Sequence, residues 1–295
     1  MTSVGLESCL ICAVAVALIS VLSSSLYGRE PAIPTAFMAV SSFAPGFIYA
    51  LFSVNGVRWN GMWVFFSLLL LKNAVYCFAF FNRYEALRKF GAFRGALVVG
   101  AQPPLILILS ALFLKEPVNI YRICSVILVS LAIILLGGPA AKDTESRLSI
   151  LDWMKWLVLP SFASAGIFIL DRYFLKGTVS PDLYFTYDRV ALMIILALGA
   201  LASRLRRSKA NAMDWQKIIA RNWAVLLTIG ALFTLSVYAY NRALSLEDAT
   251  TVSLFRNAAY PSAALLGAWV FQRRLVRQDV LSAFLVLVSV PLGLL

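Results

Sequence analysis

Ten apolar runs, each near the length that crosses a bilayer, divide this 295-residue chain. A helix needs about 20 consecutive apolar residues to span a hydrocarbon core roughly 30 Å thick. The runs fall at 6–27, 34–54, 61–81, 93–114 and 118–138, then at 153–175, 181–203, 219–240, 250–271 and 278–295. Apolar residues make up 61% of the chain and charged residues 14%, where a soluble domain has about 45–50% and about 25%. That composition excludes a water-soluble globule and a disordered chain, and apolar runs that do not alternate exclude a transmembrane β-barrel. The expected fold is an all-α polytopic membrane protein of about ten transmembrane helices. The first run lacks the basic start of a secretory signal, with Glu7 in its place, and is read as a retained span.

The polar stretch from Ala141 to Arg147 separates two sets of five runs. We therefore expect a first five-helix repeat over 1–140, a linker over 141–152 and a second repeat over 153–295. Shifting the chain by 157 places Ala86-Leu87 on Ala243-Leu244, Leu97 on Leu254, Ala101 on Ala258 and Pro104 on Pro261. Five spans per half, an odd number, send the two repeats through the bilayer in opposite directions. That is the inverted-repeat arrangement of many transporters.

One segment is distinctive within this pattern. Tyr84-Glu85-Ala86-Leu87, then Pro104, then Leu112-Phe113-Leu114-Lys115-Glu116-Pro117 resembles an EamA-type repeat of the drug/metabolite transporter superfamily. The second half resembles it through Arg242-Ala243-Leu244, Pro261 and Phe271-Gln272-Arg273-Arg274, with Arg273 where the first half has Glu116. Arg189 is similar to the arginine common early in the family's second helix. The resemblance implies ten helices, a central cavity built from both repeats, and carrier-type transport of small solutes. It leaves the solute open.

Ionisable side chains at bilayer depth are costly, so each is a functional candidate. Lys72 and Asn73 lie mid-span with Tyr76 one turn on, and Arg256 and Asn257 are followed likewise by Tyr260. Gln102 precedes Pro103 and Pro104. On the functional reading these residues line the cavity, with Lys72 and Arg256 meeting an anionic group and each cation sharing a helix face with its tyrosine. Asp171, Asp188 and Arg189 are coupling or gating candidates. The alternative is that the charges neutralise one another between helices, with Asp171 the partner for Lys72 or Arg256. Pro104 and Pro261 are expected to kink their helices beside the cavity or simply to bend them.

The 26 basic and 14 acidic residues leave a charge of +12. Of the basic residues, 17 lie in alternate loops and the span ends that flank them, on one side. The positive-inside rule makes that side cytoplasmic and puts both termini on the other. This distribution argues against nucleic acid as a partner. No histidine is present, and the four cysteines (Cys9, Cys12, Cys77, Cys124) all fall in apolar runs, so no metal site, cofactor or catalytic triad is expected. The expected partners are a small-molecule solute and the bilayer, with a homodimer left open. A bacterial inner membrane is favoured over a Golgi or other organelle membrane. The function expected is secondary transport of an amino acid, related metabolite or amphipathic drug. A nucleotide-sugar carrier of the same superfamily is the alternative, and a non-transporting assembly or lipid-handling protein the alternative of another class.

Overall fold

The computed structural model describes residues 2–29, 35–53, 63–137, 158–177, 179–206, 215–270, 275 and 277–295. Ten helices carry these residues, and no strand is present among them. They are α1 (Ser3–Arg29), α2 (Thr35–Ser53), α3 (Trp63–Gly100), α4 (Gln102–Leu109, widening into a π-type turn over Ser110–Leu114), α5 (Ile120–Gly137), α6 (Leu159–Leu175), α7 (Pro181–Arg206), α8 (Trp215–Leu246), α9 (Ala249–Val270) and α10 (Arg277–Gly293). Three stretches, Ser3–Ser23, Trp63–Phe81 and Ala220–Leu246, are long and apolar enough to cross a membrane by length and composition. α6 and α10 are 17 residues long, and in α7 Asp182, Asp188 and Arg189 lower the apolar content.

One boundary differs from expectation. The runs 61–81 and 93–114 predict a turn near 82–92, yet the backbone of α3 stays helical to Gly100. The intervening residues include Glu85, Ala86, Leu87, Arg88 and Lys89 and no proline. They are good helix formers, and charge alone does not stop a helix. The break comes at Ala101, before the prolines in the first turn of α4.

Polarity is distributed inside out. Phe52, Trp63, Leu112, Phe113, Trp269 and Leu287 are exposed, whereas Lys72, Asn73, Asp171 and Asp188 are buried. Soluble proteins rarely expose apolar surface on that scale. A lipid-facing surface explains it.

The two halves interlock. α1 packs on α8 and α9 of the second half, and α6 packs on α3 and α4 of the first. α2 lies against α8 as α7 lies against α3, and α2–α7, α4–α9 and α5–α10 pair across the middle. Each contact maps onto another when the halves are exchanged, as an inverted repeat requires. The α2–α8 crossing is close because Gly230 faces Ser41 and Pro45. A Cβ at 230 would stand 2.5 Å from Pro45 Cγ and 2.6 Å from the Ser41 carbonyl oxygen.

Overpacking of this kind costs about 1–3 kcal/mol, so Gly230→Ala is expected to lower the melting temperature of the protein in detergent. Gly166→Ala, where an added Cβ meets nothing within 4 Å, is expected to leave it unchanged or raise it.

Candidate functional site

Asp171, Tyr184 and Asp188 are brought to Lys72 by helix periodicity. On α7, Tyr184 and Asp188 are four residues apart and share a face, and Asp171 lies in the last turns of α6. Both helices pack on α3, and their polar faces meet Lys72. Its ammonium donates to Asp188 Oδ1 at 2.5 Å and lies 2.9 Å from Asp171 Oδ1. The Tyr184 hydroxyl lies 3.3 Å from Nζ and donates to Asp171 Oδ1. Asn73 Nδ2 donates to Asp188 Oδ1 at 2.9 Å and to the Leu69 carbonyl at 2.9 Å. The Tyr240 hydroxyl on α8 donates to Asp171 Oδ2 at 3.1 Å. Arg189 donates to Asp188 Oδ2, and its guanidinium stands 5.6 Å from the centre of the Phe185 ring. Its stem passes Gly46 on α2, where a Cβ would come within 3.2 Å of Arg189 Cδ. Two cations thus oppose two carboxylates, and the cluster is neutral.

A second ionic cluster closes the adjacent end of the bundle. Lys115 adopts φ 53°, a left-handed conformation rare for a residue with a side chain. With the widened turn before it, this carries Glu116 to the start of α9, where its carboxylate accepts the Ala249 N–H at 3.0 Å. An anion there is favoured by the helix dipole. Arg172 on α6 holds the same carboxylate at 3.1 Å and donates to the Leu244 carbonyl. Asp248 pairs with Arg122 at 2.7 Å, and Glu247 accepts the backbone N–H and hydroxyl of Thr2. The start of α1, the α4–α5 connection and the α8–α9 turn are tied together at this end.

Arg256 is placed differently. It is half-buried on α9, with its guanidinium 4.8 Å from the centre of the Tyr240 ring and 5.7 Å from that of Phe168. Among the described residues it has no ion pair or hydrogen bond. The two rings it stands over come from other helices, and Tyr260 one turn on and Tyr76 on α3 also lie within its electrostatic reach. Tyr260 packs against the apolar cluster of Leu107, Val126 and Leu254, and Tyr76 against Phe43 and Phe80 with ring centres 6.0 Å away. Asn257 is buried and donates within its own helix to the Ser253 carbonyl. Gln102 begins α4, at the opposite end from Glu116. Pro104 lies in the first turn of α4, where its missing N–H leaves no intrahelical bond unmade, and Pro261 lies inside α9. The structure therefore gathers Lys72, Asn73, Asp171, Asp188 and Arg189 and sets Arg256 beside them through Tyr240, with Tyr76 and Tyr260 within electrostatic reach of its guanidinium, while Gln102 lies at the far end of α4 and Asn257 bonds within its own helix. Arg273 lies outside the described residues.

Tyr184, Tyr240, Glu116 and Asp248 also belong to these clusters. Tyr184 could have been found by its i, i+4 spacing from Asp188. Nothing in the local sequence marks Tyr240.

The EamA-like transporter family model matches residues 4–138 and 151–294, once over each half. Among solved structures, 27 chains match. One crystal structure is 18% identical, covers 98% of both chains and superposes with a TM-score of 0.73. At that identity the likeness concerns the fold alone. A search of curated proteins finds no match. With the family model matching both halves of an all-helical membrane protein built as an inverted repeat, the chain belongs to the EamA-like transporter family.

Proposed function

We propose that the protein is a secondary carrier that moves a small organic solute by alternating access between its two five-helix repeats. One observation carries this reading: buried ionic contacts at Lys72 and at Glu116 join one repeat to the other. Lys72 belongs to the first half and its carboxylates to the second, and Glu116 in the first half holds Arg172 and Ala249 in the second. An apolar contact would serve packing as well without the desolvation penalty of buried charge. Ionic contacts between halves can break and re-form with discrete alternatives, as a two-state carrier requires. The Glu116 cluster acts as the gate at one end, and the Lys72 cluster lies behind it at depth.

Purified protein in sealed vesicles tests the reading. Uptake or counterflow of at least one labelled solute from a panel of amino acids, organic acids and amphipathic drugs is expected, above that of protein-free vesicles. No movement of any solute would contradict it.

The Lys72 cluster separates a moving part from a scaffold. Lys72→Met leaves two buried carboxylates with Arg189 alone and is expected to destabilise by about 3–5 kcal/mol. Adding Asp171→Asn should recover much of that stability, read as thermal melting in detergent. Transport should stay impaired in the folded double variant; wild-type transport there would make the cluster purely structural.

A further inference from the structure

We propose that Arg256 receives the acidic group of the solute, and that this solute is an organic monoanion of carboxylate type carrying an apolar body. The inference rests on the carrier reading above and adds to it the charge of the cargo. Lys72 and Arg189 are matched by Asp171 and Asp188, and Arg172 by Glu116. Arg256 has no such partner among the described residues, and a guanidinium does not shed its proton in a protein. Among the described residues, the surroundings of the Lys72 cluster therefore hold one positive charge, Arg256, with no carboxylate set against it. Its ring neighbours are aromatic faces: Tyr240 and Phe168 meet nearly edge to face with centres 4.9 Å apart, and the guanidinium stands over both. Stacking of this kind leaves the N–H edge of an arginine available for two parallel bonds to an oxyanion. The Tyr240 hydroxyl is already given to Asp171, which fixes that ring as a wall of the site.

The same charge balance discriminates among solutes. A cation would add a second uncompensated charge beside Arg256. The ammonium of a zwitterion would need a free carboxylate, and Asp171 and Asp188 are both held by Lys72. A dianion would need a second free cation, and Lys72 is held by two carboxylates. A monoanion alone offsets the charge of Arg256 where it stands beside the Lys72 cluster, and a locally neutral interior crosses between states at lower cost than a charged one. The loaded carrier is then the form that reorients.

The test uses the intact protein and four compounds on one skeleton: 3-phenylpropionate, 3-phenylpropionamide, 3-phenylpropylamine and phenylalanine. Melting in detergent is measured across a concentration series of each, together with a set of aliphatic and aromatic monocarboxylates. Monocarboxylates are expected to stabilise, with the amide, amine and zwitterion weaker by about tenfold or more, as loss of a charge-assisted bond implies. Arg256→Gln is expected to remove the stabilisation and Arg256→Lys to retain part of it. Equal stabilisation by the amide or the amine overturns the proposal. So does unchanged carboxylate affinity in folded Arg256→Gln, or no stabilisation by any monocarboxylate; should Arg256→Gln not fold, the wild-type series and Arg256→Lys decide. Binding of monocarboxylates without movement in vesicles upholds this site and counts against the carrier. Movement without regard to charge does the reverse.

Discussion

Lys72 held between Asp171 and Asp188 is the interaction on which the rest of the structure depends. A lone ammonium at bilayer depth is costly, and two carboxylates brought together without it are no better. The three charges are stable only as a set, with Arg189 completing the balance. That requirement fixes how α6 and α7 meet α3, and through the Tyr240 hydroxyl it fixes α8 as well. Because α3 lies in one half and the others in the second, the halves are held together by charge as well as by apolar packing.

The charge is not distributed as the fold is. The pairing of helices repeats when the halves are exchanged, but the residues do not. At the shift of 157, Lys72 maps to Ile229 and Asn73 to Gly230. Where α3 meets α7 through ion pairs, α8 meets α2 through a glycine packed on Pro45. A weak contact of Cys12 with Ser236 at 3.7 Å is a polar link of α1 to α8 at their core. One pseudo-symmetric interface is thus ionic and the other close-packed. The ionic clusters lie towards the end where Glu116 ties the bundle together, and in the carrier proposed above breaking and remaking that tie would set the cycle apart from simple rocking of equal halves.

Much of this was legible in the sequence because the bilayer imposes a length and a polarity on every span. Lys72, Asp171, Asp188 and Arg256 stood out as charges inside apolar runs. Their pairing was not legible, since no periodicity encodes the register between helices distant in sequence. Asp171 was weighed as a partner for either cation and is committed to Lys72. Arg256 faces rings from α6 and α8, with Tyr260 of its own helix also within electrostatic reach. Tyrosines are too frequent in membrane helices for Tyr184 and Tyr240 to be singled out. The contact of Glu116 with Ala249 depends on a left-handed lysine at 115, a conformation that the identity of the residue argues against. The turn expected near 82–92 failed for a related reason. A cluster of charge looks like a loop between spans, yet these residues favour helix and contain no proline to end it.

In the carrier proposed above, ionic contacts between the repeats part and re-form during turnover. Pulsed electron-spin distance measurements between labels at Val118 and Leu246 test this most directly. Both residues are exposed at the end sealed by Glu116, on either side of the seal. In protein reconstituted in lipid, two distance populations are expected, with the longer one enriched when Glu116 is replaced by Gln. A single distance, identical in the wild-type protein and in Glu116→Gln, would mean that these contacts do not part.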